Sequence, residues 1–136
     1  DMTLPLYAVQ QALYTRLSGD GVLMGMIEGI YDTVPQQSAF PYVVIGDGVQ
    51  DDVPAQGFTA ARCVLDIELF SRSKGRKETL LILDRLFALL HRNVLSVAGY
   101  ECIVTRCERA ETETLLDALT LRGNMRVGVA LAQEVV

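Results

Sequence analysis

At 136 residues, 50% of them apolar and 21% charged, the chain is long enough to bury one core without disulfide or metal staples, so a single domain is expected. A formal charge of −5 argues against a protein whose main task is gripping phosphate backbones. Asp84, Arg85, His91 and Arg92 break the longest apolar stretch, so no run reaches the roughly eighteen residues of a membrane span.

The first residues lack the basic region, apolar block and small-residue cleavage site of a secretory signal, which implies production in the cytoplasm. Pro5 suits a first helical turn, and Leu6, Val9, Leu13 and Leu17 recur at three- and four-residue spacing, predicting an amphipathic helix from Pro5 to Leu17. Ser18-Gly19-Asp20-Gly21 ends it. Val22 to Ile27 reads as a single helical turn and Ile30 to Val34 as a short strand. Pro41 has no ladder donor and can only begin or border a strand, so the next strand is Tyr42 to Gly46. Asp47 to Ala60 is rich in Gly, Asp, Gln, Pro and Ala without a period, which predicts a long exposed loop.

Arg62 to Phe70 alternates, with Cys63, Leu65, Ile67 and Leu69 on one face and Val64, Asp66, Glu68 and Phe70 on the other, the signature of a half-buried strand. Ser73 is the expected N-cap of a central helix. That helix is read with Leu80, Leu83, Leu86, Phe87 and Leu90 inward and Lys77, Asp84, Arg85, Ala88 and Arg92 outward. Ala98-Gly99 turns into a strand from Tyr100 to Arg109, with Cys102 and Val104 opposite Ile103 and Cys107. An acidic exposed connection follows from Glu108, and Thr120 to Ala132 alternates as the clearest strand of the chain. Together these elements predict an α+β fold, a mostly antiparallel sheet of four to five strands packed on one face against two main helices.

Catalytic and cofactor signals are weak. Gly19-Asp20-Gly21 and Gly46-Asp47-Gly48 lack the rest of a dinucleotide fingerprint or P-loop and read as glycine-dependent chain reversals. Cys63, Cys102 and Cys107, odd in number and inside strands, read as small buried hydrophobes. With His91 the lone histidine, no metal or cofactor centre is expected. Asp66 and Glu68 share a strand face without an evident cleft. Glu108, Glu111, Glu113 and Asp117 lack the order of a calcium loop and read as a solvated acidic segment. Arg72, Lys74, Arg76 and Lys77 form the basic cluster best suited to an anion or nucleic acid, although no aromatic side chain is interleaved to stack on bases. A solvated helix start, or pairing with acidic residues of a neighbour, is the favoured reading of the cluster.

The unit from Ser38 to Leu90 orders a strand, a polar loop, a strand and a buried helix. It opens with Phe40-Pro41-Tyr42-Val43-Val44-Ile45-Gly46 and closes its loop with Ser71-Arg72-Ser73-Lys74-Gly75-Arg76-Lys77-Glu78. In this order it resembles the tail terminator (tail completion, head-tail joining) proteins of long-tailed phages and gene transfer agents. The resemblance implies a non-enzymatic structural protein of a virion or gene transfer agent particle, assembled in the bacterial host. Such a protein forms a ring of six identical subunits that caps the tail tube and ends tube polymerisation. It meets the tail tube protein on one face and the head-side connector (stopper or adaptor) on the other, with DNA passing through the lumen without sequence-specific binding. A ring needs two different patches per subunit. The two long connections are the candidates, through Asp51, Asp52, Pro54 and Phe58 in one and Glu111, Glu113, Leu115 and Leu116 in the other, together with Arg72, Lys74, Arg76 and Lys77. A small α+β module that binds a nucleic acid or small molecule is the alternative.

Overall fold

The computed structural model describes residues 4–53, 57 and 59–133. Helix α1 (Leu6–Ser18) begins after Pro5 and buries Val9, Ala12, Leu13 and Leu17 on one stripe. Asp20 caps the short α2 (Gly21–Met24) by accepting from the Leu23 amide at 2.8 Å. The strands are β1 (Ile30–Tyr31), β2 (Tyr42–Val53), β3 (Ala60–Ser71), β4 (Tyr100–Thr114) and β5 (Leu121–Gln133), and α3 (Lys77–Leu90) joins β3 to β4. They form one sheet of order β1-β2-β3-β5-β4, parallel only where β1 meets Val43 and Val44 and antiparallel elsewhere. The fold is therefore the expected α+β arrangement.

Cys63, Leu65, Ile67 and Leu69 of β3 and Met125, Val127, Val129 and Leu131 of β5 meet the buried stripes of α1 and α3 in one hydrophobic core. Two glycines let the helices approach the sheet. A Cβ at Gly48 would lie 2.9 Å from the Leu6 side chain, and one at Gly123 would lie 3.0 Å from Leu69 and 3.1 Å from Thr79. Among the described residues no helix is long and apolar enough to cross a membrane.

Both expected loops are largely strand. β2 continues to Val53, with Gly48 to Val53 paired against Leu65 to Ala60, and Gly46-Asp47-Gly48 is an irregularity of register within it rather than a chain reversal. At this end β2 is wet on both faces although its partners Ala60, Ala61 and Cys63 on β3 are buried, so this part of β2 pairs without the dry face that writes a period of two into sequence. Likewise β4 runs to Thr114, and register shifts at Cys102/Val104 and Cys107/Arg109 reset its alternation. Cys102 and Cys107 consequently pack on the same core, contrary to the expected opposition. Gly19 has φ −80° and needs no left-handed freedom.

The central helix differs in its start and its rotation. Arg76, not Ser73, occupies the N-cap, while the buried Ser71 hydroxyl donates to Glu78 at 2.5 Å and accepts from the Ser73 amide at 3.2 Å. Arg85 reaches Asp20 with Nε at 2.9 Å and Nη2 at 2.7 Å. These polar pins turn Thr79, Ile82, Leu83, Leu86, Leu89 and Leu90 inward and leave Leu80, Leu81 and Phe87 exposed. A helix with leucines on all sides carries no sequence signal strong enough to choose this rotation.

Candidate interaction surfaces

The register sorts the candidate residues onto two ends of the sheet. Tyr42 opposes Phe70 at one end of the β2–β3 hairpin and Val53 opposes Ala60 at the other. Ser71 and Thr114 both oppose Leu121. Glu111, Glu113, Leu115 and Leu116 therefore gather with Arg72, Lys74, Arg76 and Lys77 at the first end. Asp51 and Asp52, exposed on β2, lie at the second, on the order of 35 Å away at ~3.3 Å per strand residue. Pro54 and Phe58 fall outside the described residues.

The first end is organised by Asp117. Its Oδ1 accepts from the Leu119 and Thr120 amides at 2.9 Å each, and its Oδ2 accepts from the Thr120 hydroxyl at 2.7 Å. The Leu115 carbonyl accepts from the Ala118 amide at 2.9 Å, closing a turn in which Ala118 has φ +58°. The Thr120 hydroxyl, with the two amides, holds the Asp117 carboxyl down at about 2. On this pedestal Leu115 is half-buried, whereas Leu116 is fully exposed and Leu119 is 67% exposed. Leu119 escaped the sequence reading, and the Asp117-x-x-Thr120 spacing was the local signal for the turn that presents it.

Arg72 leaves the expected basic cluster. Its Nε donates to Thr120 Oγ1 at 3.1 Å, its Nη2 stands 3.7 Å from Asp117 Oδ2, and its guanidinium lies 4.4 Å from the Phe40 ring centroid. Lys74, Arg76 and Lys77 remain exposed, and none of them is ion-paired among the described residues. Lys74 and Lys77 border a hollow of about 480 Å³ with Met26 and Leu81.

The sheet face away from the helices carries charges that neutralise each other. Arg62 pairs with Glu108, Arg122 with Glu68 and, at 3.6 Å, with Glu113, and Arg126 with Asp66 at 3.6 Å. The buried Asn124 amide donates to Asp66 at 3.2 Å. Asp66 and Glu68 thus serve ion pairs rather than a cleft, and Arg109 occupies Glu111 at 3.1 Å. Among the described residues no three His, Cys, Asp or Glu side chains converge as metal ligands. Burial pushes the Cys63 and Cys107 thiols up to about 11, so both stay protonated at neutral pH.

A family model described as tail completion protein gp17 matches residues 11–131. The chain belongs to this family of tail completion proteins. Two solved structures agree with the assignment. The fold of a chain in the virion of a native gene transfer agent particle matches with a TM-score of 0.87 over 96% of this chain and 99% of that one, at 19% identity. The bacteriophage SPP1 gp17 protein matches with a TM-score of 0.67 over 93% and 91%, at 25% identity. No curated protein sequence matches. As a tail completion protein the chain is a structural component of a phage-type tail, and its place is the virion.

Proposed function

We propose that this tail completion protein forms a closed ring, six subunits by its resemblance to tail terminators, that caps the tail tube, ends its polymerisation and joins it to the head-side connector. The observation that carries this reading is the β4–β5 tip, where Leu116 and Leu119 are held out in water by a turn stiffened through Asp117. Ordering apolar side chains in solvent is unfavourable for an isolated domain and favourable for one whose tip is covered by a partner. The two ends of the sheet suit two axial neighbours of different chemistry. One is apolar and basic, with Leu116, Leu119, Lys74, Arg76 and Lys77. The other is acidic, with Asp51 and Asp52.

In this arrangement the strands run along the ring axis and the open sheet face borders the lumen. Arg62, Arg122 and Arg126 are spent in ion pairs there, and Arg106, opposite Gly128, is the exposed arginine left over among the described residues. This suits a conduit, because a surface with few free cations holds the phosphates of passing DNA weakly. Purified chain added to growing tail tubes tests the reading. Tubes should stop elongating and show a ring of density at one end by electron microscopy. Tubes that elongate unchanged and end bare would refute it.

A further inference from the structure

The flanks of the subunit differ as sharply as its ends. One flank is a groove. β1 covers β2 only at Val43 and Val44, and α1 beside it leaves two adjoining hollows of about 330 Å³ each, sharing Tyr7 and Gln10. Tyr14, Tyr31 and Ile45 line the first hollow, and Asp32 lies at its rim, accepting from Gln10 Nε2 at 3.0 Å with no cation paired to it among the described residues. Tyr7 is 67% and Tyr14 50% exposed.

The opposite flank is a ridge. Arg85 points toward α2 through its bonds to Asp20. At about 100° per helical residue, Leu80 and Phe87 project about 140° and 160° from Arg85, on the β4 side of α3. They are 52% and 44% exposed, and Phe87 stacks on His91 at 4.4 Å. The Arg92 amide donates to Thr105 on the outer edge of β4, the Thr105 amide donates to Asn93, and the Cys107 amide donates to His91 Nδ1. This stretch of strand edge is already satisfied, so the flank offers side chains rather than a free ladder. The side chain of Arg92 has no ion-pair partner among the described residues, whereas Glu108, Glu111 and Glu113 are held by Arg62, Arg109 and Arg122.

We infer that adjacent copies of this chain join by seating the Leu80–Phe87 ridge of one in the α1 groove of the next. The inference rests on the ring reading above and names the surfaces that would close it. Shape and charge both point to a second copy. The ridge is apolar with Arg92 beside it, and the groove is aromatic with Asp32 at its rim, neither of the two ion-paired among the described residues. Because ridge and groove lie on opposite flanks, the contact is heterologous and repeats head to tail until rotation closes it.

Phe87→Glu spoils the ridge alone and Tyr14→Glu the groove alone, and both positions are exposed, so the cooperative melt of each variant should persist. Sedimentation across a concentration series should show the unaltered chain associating and each variant roughly thirtyfold weaker or more. An equimolar mixture should stop at a dimer, since only one intact ridge and one intact groove remain to meet. If a variant melts without cooperativity, Arg92→Glu takes its place. It should weaken association, and Asp32→Arg in the same chain should restore it. An unaltered chain that assembles while the variants do so equally well overturns this interface and leaves the ring standing. A chain that stays monomeric to millimolar concentration overturns this interface as a self-sufficient contact, and the ring falls with it only when growing tubes are also left uncapped.

Discussion

Asp117 illustrates how one exposed carboxylate fixes the geometry of the β4–β5 tip. Three hydrogen bonds to its two oxygens replace the solvation it gives up, and they favour the charged form, which is why its pKa stands at about 2 against the usual 3.8. A depressed folded-state pKa contributes stability that is fully present above 3.8 and is lost as the pH falls toward about 2. Asp117→Asn keeps an acceptor for the amides and gives up the charge. Its melting temperature should therefore fall below that of the unaltered chain at pH 5, with a gap that narrows between pH 4 and pH 2 and closes below. Thermal denaturation across that range checks this, and a gap undiminished at pH 2 would rule out the charge as the source. Asp20 is held at about 2 in the same way, chiefly by Arg85, so the same acid range loosens the joint between α2 and α3. The thiols contribute no comparable switch, because burial keeps Cys63 and Cys107 protonated at neutral pH.

Among the elements, α3 separates folding from association within one helix. Leu86 is completely buried and its neighbour Phe87 is 44% exposed. Leu86→Ala should cost about 2–5 kcal/mol, the transfer and cavity terms together, while Phe87→Ser should change stability by about 0.5 kcal/mol or less. Chemical denaturation of the two variants decides it. Equal losses would mean that Phe87 belongs to the core. This pair also marks the limit of what the sequence reveals. The order of helices and strands was legible because Leu65, Ile67 and Leu69, and later Met125, Val127 and Val129, alternate on a sheet with one dry face. The rotation of α3 was not, since leucine recurs around its circumference and the anchors that select a face, Ser71 to Glu78 and Arg85 to Asp20, are tertiary contacts. Strand length was hidden for a related reason. Gly48 to Val53 and Glu108 to Thr114 are strand by backbone pairing, and their wet side chains advertise a loop. Of the candidate site, Leu116 was legible as an apolar residue in a polar segment, and Lys74 and Lys77 as members of a basic cluster. The apolar groove beside α1 was invisible, because it arises where β1 stops short.

The whole molecule presents four chemically distinct boundaries, two flanks and two ends, around a core that uses none of them. A subunit of a capped tube has the same requirement, with lateral neighbours on both sides and different axial neighbours above and below. The apolar tip is the boundary most open to a decisive test. Leu116→Glu with Leu119→Glu places two charges where a partner surface would have to desolvate them, and this is costly only if the tip is covered. Neither side chain packs into the core, so the melting temperature and the lateral association should remain those of the unaltered chain. Particle assembly should fail. Electron microscopy of the products then identifies the lost contact. Bare, overgrown tubes would mean that the tip grips the tail tube, and capped tubes without heads would mean that it grips the connector. Complete particles at the normal yield would show that the tip faces solvent in the virion, and the axial assignment of the β4–β5 end would fall.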